Sequence, residues 1–248
     1  MILPILLSLH SVSSQVCGNV ATNIVTLEQA SPETKDRVDC HPEPGALRDK
    51  CQERGCVWGE VEEEGAPWCY YPPDYGYLML GEPVTTPLGY IVHLVRSTQA
   101  GMFGEEAESV WLSLEMQTDS RIRIKITDDK HRFEVPIKIE GDGVKHNITD
   151  VDITFSNSPV FGLRSSRRST GERLLDTGAP GLVFSDQFIQ LPLRISETAA
   201  VFGWGEDEQD SLRHGLDWKS WALYARDQPP DGAANIYGAH PRPTTARP

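Results

Sequence analysis

The segment from Cys51 to Tyr77, CQERGCVWGEVEEEGAPWCYYPPDYGY, combines three cysteines, two tryptophans and four tyrosines with a run of glutamates. Its many turn-forming residues predict loops rather than long helices or strands. So small a segment buries too little apolar surface to fold unaided, and it therefore needs cross-links that restrict its unfolded state. The cysteines are the residues to explain first.

Four of the five cysteines fall within 30 residues, in the pattern C-x10-C-x4-C-x12-C: Cys40, Cys51, Cys56 and Cys69. Structural zinc sites usually contain C-x2-C knuckles, which this pattern lacks, so disulfides are favoured over a zinc site. Each bridge across a loop of this size contributes about 3 kcal/mol in the chain-entropy model. The fifth, Cys17, is expected in a flexible leader, free or paired with another chain.

Length and charge limit the class of protein. The 248 residues suffice for one large domain or two smaller ones, and the net charge is −13. So acidic a surface repels phosphate backbones, which argues against a nucleic-acid partner. The acidity suits a neutral ligand or a basic partner, or serves solubility alone. We predict no cofactor and no metal.

The N-terminus points to the secretory pathway. MILPILLSL is apolar but too short to span a bilayer, and with the small residues VSS it predicts a signal peptide over residues 1–14, although it lacks a basic n-region. A translation start inside a longer gene product and the remnant of a membrane anchor are the alternatives. Residues 15–37 are expected to form a leader, and Asn147 begins an NIT glycosylation sequon. Together these features predict an extracellular, cell-surface or lysosomal location, with membrane association through that pathway.

Downstream of Tyr77 the sequence favours β-structure. In RIRIKIT, the isoleucines at 122, 124 and 126 point to one face and the basic residues at 121, 123 and 125 to the other, as in a half-buried strand. Turn signals and further apolar stretches continue to Ile195: GYIVHLVRS, VWLSLEM, RFEVPIKI, VDITF, VFGLRSS, GLVFSD and FIQLPLRI. Eight or nine short strands predict a β-sandwich.

Other candidate site residues are set aside or left open. The basic run at 164–173 is interpreted as a solvated hairpin. Region 203–241 is rich in carboxylates and aromatics and is a candidate functional loop region. Its acidic residues (Glu206, Asp207, Glu208 and Asp210) are expected to be solvated, and His214 and His240 to have structural or surface roles.

The cysteine-rich segment also predicts a short helix over residues 46–54, followed by Gly55 as a C-cap. Its aromatic residues have two interpretations: a sugar-stacking cleft, or the small core of the segment and its seam with the next domain. They are Trp58, Trp68, Tyr70 and Tyr71.

Residues 39–72, DCHPEPGALRDKCQERGCVWGEVEEEGAPWCYYP, resemble a P-type trefoil domain. The C-x4-C step with glycine before the second cysteine, Trp58 and the ending PWCY carry the resemblance. Trefoils usually have three bridges, and here both partners of one bridge are missing. The resemblance then implies the pairs Cys40–Cys56 and Cys51–Cys69.

Later motifs extend the resemblance to roughly residues 39–241. RFEVP, DQFIQL, FGWGE, ARDQPP and NIYGAHP occur in the order found in the N-terminal part of trefoil-bearing family 31 glycoside hydrolases, which are α-glucosidases. The implied fold is mainly β: a disulfide-bridged trefoil at 38–77, then a galactose-mutarotase-like β-sandwich at 78–241. Residues 242–248 are expected to be a disordered tail. We interpret this tail as an alternative end, the result of a frame change or part of an incomplete gene model.

The resemblance also implies a function. Family members hydrolyse α-glucosides with retention, using two aspartates on a barrel that follows the sandwich. The motif that marks the nucleophile is absent from these 248 residues, so we expect no catalytic residue and no activity from the chain alone. Asp227, in RDQPP, matches a family aspartate that hydrogen-bonds the sugar. The implied partner is a maltose-type α-glucan; the alternative function is a stand-alone carbohydrate-binding or mucin-interacting trefoil protein.

Overall fold

A computed structural model describes most of the chain from Pro32 onward. The described residues are 32–97, 104–118, 121–134, 136–137, 143, 150–196, 199–203, 205–218, 224–225, 227–229, 235–240 and 244–246, all of them within one compact unit. The predicted signal peptide, Cys17 and the sequon at Asn147 lie outside them. No helix in the described part of the chain has the length and apolar character needed to cross a membrane.

The cysteine-rich segment contains one short helix and one two-stranded sheet. Helix α1 (Arg48–Glu53) is the predicted helix, and Gly55 follows it with a φ of +75°, a conformation that glycine adopts without strain. Strands β1 (Val57–Trp58) and β2 (Cys69–Tyr70) pair antiparallel. A single 3-10 turn, Thr34–Asp36, precedes them.

Two disulfides hold this segment together. Cys40 is bonded to Cys56 and Cys51 to Cys69, with Cα–Cα distances of 6.4 and 5.7 Å. These are the pairs that the trefoil resemblance implies. All four cysteines are buried in a small core that also contains Tyr71. The core of the segment is therefore largely its own cross-links.

The segment begins earlier than predicted. Arg37, assigned above to a leader, donates from Nη1 to the carbonyls of Gly59 (2.7 Å) and Pro67 (3.2 Å), and its guanidinium lies 4.3 Å from the ring centre of Tyr70. These bonds connect Arg37, which precedes Cys40, to the far end of the trefoil. The described part of the predicted leader is thus an integral part of the trefoil.

The rest of the chain contributes two main sheets. The larger comprises β3 (Tyr77–Met79), β4 (Val84–Thr85), β5 (Gly89–Arg96), β6 (Ser109–Met116) and β7 (Ile122–Thr127). Its order is β3–β5–β6–β7, with β4 also on β5. The smaller comprises β8 (Val151–Asn157), β9 (Phe161–Arg167) and β10 (Arg173–Asp176), in the order β10–β9–β8. All these pairs are antiparallel.

One hydrophobic core joins the two sheets. Alternate residues of β5 and β6, among them Leu94 and Leu112, are buried against Phe161 and Leu163 of β9. Strand β7 has its isoleucines on one face as predicted: Ile122 and Ile126 pack on the core, and Ile124, opposite Leu114, is 38% exposed. The predicted fold class is confirmed: the chain is mainly β, with a disulfide-bridged trefoil and sheets packed on a shared core.

Shorter strands complete the described chain: β11 (Val183–Phe184), β12 (Ile189–Gln190), β13 (Ala200–Phe202), β14 (Gly205–Asp207), β15 (Asn235–His240) and β16 (Thr244–Ala246). They form the pairs β11–β12, β13–β16 and β14–β15. The prediction of a disordered tail at 242–248 is wrong for β16. Its threonines favour extended backbone, and β13 provides a partner of matching length.

The stretch RFEVPIKI was expected to be a strand, but its described residues, 132–134 and 136–137, are not. Arg132 instead connects two loops. Its Nε and Nη2 donate to Asp128 (3.0 and 2.6 Å), and its Nη1 donates to Asp186 (2.8 Å). The paired guanidinium holds the pKa of Asp128 below its usual range. Phe133 is left 85% exposed, so this motif is held by ion pairs rather than by a sheet.

Candidate functional site

The trefoil aromatics divide into two groups. Tyr70 and Tyr71 are each 1% exposed and belong to the packed interior. Trp58 and Trp68 lie nearer the surface, with ring centres 5.8 Å apart in an edge-to-face arrangement, and Trp68 is 43% exposed. The packing interpretation therefore holds for the tyrosines, whereas the tryptophans form a surface pair.

Local hydrogen bonds fix this pair. Trp58 Nε1 donates to Glu60 Oε1 (3.1 Å), and Trp68 Nε1 donates to the carbonyl of Val61 (3.2 Å). Glu60 also accepts from Arg48 of helix α1 (3.0 Å), and these bonds lower the pKa of Glu60. The indole edges are thus anchored, and the exposed part of Trp68 offers an apolar surface beside hydrogen-bonding groups.

Asp227 lies on the surface. Its side chain is exposed, and the next residue, Gln228, is buried. Burial of Gln228 anchors the loop and leaves Asp227 facing outward. A carboxylate in this position can accept hydrogen bonds from two hydroxyl groups of one sugar. Its neighbours Arg226 and Pro230 lie outside the described residues.

The carboxylates of the region from Gly203 onward differ in exposure. Glu206 and Asp210 are exposed and Glu208 is half-buried, while the side chain of Asp207 is not described. Retaining hydrolysis needs two carboxyl groups about 5 Å apart across a bond. That the acidic residues of this region are solvated and not catalytic stays a prediction.

His214 has a structural role. It is buried, and its Nε2 donates to the carbonyl of Gly203 (2.6 Å), so the neutral ring accepts at Nδ1 from the amide of Gln209 (3.2 Å). Its backbone N–H donates to Val201 of strand β13 (2.8 Å). The imidazole thus fastens a loop to the sheet. The side chain of His240 lies outside the described residues.

A buried carboxylate joins the end of the trefoil to the larger sheet. Glu106 is 6% exposed, its Oε2 accepts from the Tyr75 hydroxyl (3.1 Å), and its backbone carbonyl accepts from Arg96 (3.0 Å). Burial raises the pKa of Glu106, and burial beside this carboxylate raises the pKa of Tyr75 and Tyr77 well above the ordinary tyrosine value. Sequence inspection missed Glu106, because it stands in an acidic stretch typical of a solvated loop.

Three cysteine sulfurs, those of Cys40, Cys56 and Cys69, lie within 4.8 Å of one another. Metal ions bind the thiolate form of cysteine, and these sulfurs are already joined in disulfides. The described geometry of the cluster is therefore that of a cross-link rather than a zinc site.

Two features of the surface were not assigned to residues from the sequence. The outer face of the larger sheet carries an apolar patch, and a cleft lined by basic residues lies beside Trp218. Strand alternation can predict which residues face outward, but it cannot predict which outward faces stay uncovered. The cleft combines residues from distant parts of the sequence, so no local pattern marks it.

Comparison with known proteins places these features in a family context. Residues 31–72 match the Trefoil (P-type) domain model, overlapping the predicted interval 38–77. The chain is 34% identical over 206 residues to intestinal sucrase-isomaltase from Homo sapiens, a match that covers 82% of this chain. It is 34% identical over 212 residues to lysosomal alpha-glucosidase from Mus musculus, covering 83% of this chain. It is also 32% identical over 213 residues to probable maltase-glucoamylase 2 from Homo sapiens.

These relatives are much longer than the chain. The matched segment represents 11% of human sucrase-isomaltase and 22% of mouse lysosomal alpha-glucosidase. The trefoil match, the sequence identity over 206 residues and the mainly β fold all support the same relationship. The chain is homologous to the N-terminal regions of the trefoil-bearing α-glucosidases of glycoside hydrolase family 31.

Proposed function

We propose that the chain is a supporting module of the α-glucosidase type, which docks against a catalytic domain and contributes one side of an α-glucan site. On its own it does not hydrolyse glycosidic bonds. The observation that carries this proposal is the apolar patch on the outer face of the larger sheet, defined as Leu80, Val84, Ile91 and Trp111.

The outer apolar patch extends over strands β4, β5 and β6 and includes Leu80, the residue after β3. Val84 pairs directly with Ile91, and the ring of Trp111 stacks on His93 at 4.0 Å between centres. The backbone N–H of Leu80 donates to the carbonyl of His93 (2.8 Å), which brings Leu80 beside the same stack. The four patch residues are 36–62% exposed. Contiguous exposed apolar surface of this kind marks an interaction site.

The length of the relatives supports a catalytic domain as the occupant. Most of each relative has no counterpart in the match, and the names sucrase-isomaltase and alpha-glucosidase describe enzymes that act on saccharides. A module homologous to their N-terminal regions has to pack against the remainder of such a protein. An apolar sheet face suits that purpose, because it removes a large area from water at the interface.

Asp227 is the residue we propose to contact sugar. It is exposed beside the buried Gln228, in the stretch where the family resemblance places a sugar-binding aspartate. The matching ligand is a maltose- or starch-type α-glucan. One exposed carboxylate gives few contacts, so the chain alone binds such a glucan weakly and requires the opposite wall of the site for useful affinity.

The secretory pathway is the proposed location. Two disulfides in a small segment are typical of proteins that fold in an oxidising compartment. The relatives include proteins named intestinal and lysosomal, and both destinations are reached through that pathway. Glycosylation at Asn147 belongs to the same proposal.

A second function, a stand-alone carbohydrate-binding trefoil, is favoured by one observation. Trp68 is 43% exposed and is held beside Trp58 and the glutamate at 60, as a sugar-stacking surface requires. The two functions make different demands on the molecule. Stand-alone binding needs the tryptophan pair, whereas support of a catalytic domain needs the outer apolar patch.

A chimera tests the docking proposal. The matched segment of mouse lysosomal alpha-glucosidase is replaced by the corresponding part of this chain, and hydrolysis of maltose is measured. We expect activity in the chimera, and a loss of at least about tenfold when Val84→Asp places a charge in the patch, since an unpaired buried charge costs several kcal/mol.

The matched control is Leu212→Asp, because Leu212 is 87% exposed and lies outside the patch. Both variants should leave the unfolding midpoint of the isolated chain within about 2 °C of the unsubstituted value, as expected for exposed positions. Equal activity of the two chimeric variants would show that the patch is not a docking surface.

A further inference from the structure

A cleft of about 890 Å³ lies where the start of the trefoil meets the β9–β10 hairpin and the segment that follows β12. Its size is within the range of small-ligand sites. Of the described residues that line it, five are basic: Lys35, Arg37, Arg164, Arg173 and Arg194. Two are acidic, Asp36 and Glu172. We refer to it as the basic cleft.

The basic cleft is positively charged, whereas the protein as a whole has a negative net charge. The net charge of the protein is −13, yet the cleft lining carries five basic side chains against two acidic ones. A concave surface lined mainly by one sign of charge concentrates the electric field and attracts ions of the other sign. Solubility does not account for this arrangement, because a cluster of arginines on an acidic protein reduces its net charge.

Two of the arginines are fixed by one buried carboxylate. Asp176, whose side chain is 3% exposed, accepts from Arg164 Nη2 at 3.1 Å and lies 3.4 Å from Arg173 Nη1. It also accepts from the backbone N–H of Gly178 (2.9 Å). Both guanidinium groups remain about half exposed, and each carries five N–H donors. They are therefore held in place and still present donors to the cleft.

Arg194 and Lys35 also line the cleft, whereas the Arg37 guanidinium is bonded to the carbonyls of Gly59 and Pro67. Arg194 Nε lies 4.0 Å from Asp36 Oδ1, and Lys35 Nζ lies 3.3 Å from Glu33 Oε2. The groups of the Arg194–Asp36 pair are 38% and 44% exposed, so this pair is weak and Arg194 can turn toward a ligand. Arginine suits this role because its planar fork binds sulfate, phosphate or carboxylate through two parallel hydrogen bonds.

An aromatic residue completes the lining. Trp218 has a φ of 56°, a left-handed conformation that is rare for a large side chain. The trefoil holds Trp218 in place. The Nε1 of Trp218 donates to Glu63 Oε1 (3.3 Å). Trp218 also packs closely on Gly65, because a Cβ added to Gly65 would lie 3.1 Å from the Cβ of Trp218. Strained residues concentrate at binding sites. Leu193 and Ile195 add apolar surface, so the cleft offers aromatic, aliphatic and guanidinium groups together.

We propose that the basic cleft binds an anionic saccharide, with the arginines taking its sulfate or carboxylate groups and Trp218, Leu193 and Ile195 contacting its ring carbons. Asp227, whose negative charge suits a neutral glucan, is not among the described residues that line the cleft. The proposal does not depend on catalytic support by the module, and either can fail without the other. An acidic polypeptide is the competing ligand, but it would not use the aromatic wall.

Calorimetric titration of the full chain tests the proposal. The probes are a heparin hexasaccharide, which carries sulfate and carboxylate, a hyaluronan hexasaccharide, which carries carboxylate alone, and neutral maltohexaose. We expect one heparin hexasaccharide per chain, with affinity that falls as salt rises. Binding of hyaluronan identifies carboxylate as sufficient, and its failure assigns the recognition to sulfate. Arg194→Gln should weaken binding about tenfold, as expected for the loss of a charge-assisted hydrogen bond.

The matched control is Arg168→Gln. It removes the same charge from a hairpin arginine that pairs with Asp152 and is not among the residues lining the cleft. We expect less than a twofold effect. Arg194→Lys keeps the charge and should restore part of the affinity, and unfolding midpoints verify that each variant is folded.

Four results would overturn the proposal. They are the absence of heparin binding at millimolar concentration, equal losses in Arg194→Gln and Arg168→Gln, maltohexaose binding as tight as heparin binding, and poly-L-glutamate binding as tight as heparin binding. The last result would assign the cleft to an acidic polypeptide instead.

Discussion

Glu106, a buried carboxylate between the trefoil and the larger sheet, has a pKa that depends on its surroundings. It is buried, and its Oε1 accepts no hydrogen bond from the described residues, while Oε2 accepts one from Tyr75. The hydrogen bond from the Tyr75 hydroxyl and the positive charge of Arg96 both lower the pKa of Glu106. Desolvation outweighs these effects, so burial raises the pKa of Glu106.

The contribution of Glu106 to stability should therefore increase as the solution is acidified from neutral pH, in contrast to that of carboxylates whose pKa is lowered, such as Asp128. The pKa of Glu106 in the folded chain lies above its ordinary value of 4.5, so the folded state binds the proton more tightly than the unfolded state. The contribution of Glu106 to the free energy of unfolding rises as the pH falls through the folded pKa and is complete below the unfolded pKa. Between pH 7.5 and 4.5, the wild type should gain stability relative to Glu106→Gln in urea titrations.

Glu105→Gln is the control for this experiment, since Glu105 is exposed. Its stability should follow the wild-type curve across the same pH range. If the wild type and Glu106→Gln instead give parallel curves, Glu106 does not titrate with a raised pKa.

Gly181 offers a second test at the residue scale. It has a φ of +97°, and an added Cβ would lie 2.8 Å from a ring carbon of the buried Tyr71. Gly181→Ala should lower the free energy of unfolding by about 3 kcal/mol, through backbone strain and overpacking together. Gly171 has a φ of +70° with nothing within 4 Å of an added Cβ, so Gly171→Ala should cost about 1 kcal/mol. Equal costs for the two variants would contradict this packing.

At the scale of elements, sequence pattern predicts what depends on local chemistry. The isoleucines of β7 alternate with basic residues, and the strand has the expected register. Helix α1 and its glycine cap also follow from local signals. RFEVPIKI has the same alternation, yet its described residues are held by the ion pairs of Arg132. Local alternation does not reveal a partner such as Asp186, which lies more than fifty residues away.

The disulfide pairs provide a test of the trefoil element. Peptide mapping of the unreduced chain should yield the crosslinked pairs Cys40–Cys56 and Cys51–Cys69. The double variant Cys51→Ser with Cys69→Ser should lose about 3 kcal/mol of stability, the loop-closure effect of one bridge of this length. A peptide that joins Cys40 to Cys51 would contradict the pairing and the trefoil core built on it.

At the scale of the whole molecule, the candidate sites were only partly predictable. Asp227 and Trp68 stand in motifs that resemble a family, so the sequence marks them, and both side chains are at the surface. The outer apolar patch depends on which sheet face stays uncovered. The basic cleft is lined by Trp218 together with residues from three segments that are distant in the sequence. Features of that kind arise from tertiary packing and have no local signature.

The central claim is that this molecule, a cross-linked trefoil joined to packed β-sheets, supports carbohydrate chemistry without performing it. Two of its buried carboxylates, Asp128 and Asp176, are engaged by arginines. The most direct test is glucose release from maltose by the purified chain, between pH 4.5 and 7 and against a protein-free blank. We predict release no greater than the blank at every pH. Turnover above the blank that increases in proportion to the concentration of purified chain would contradict the account.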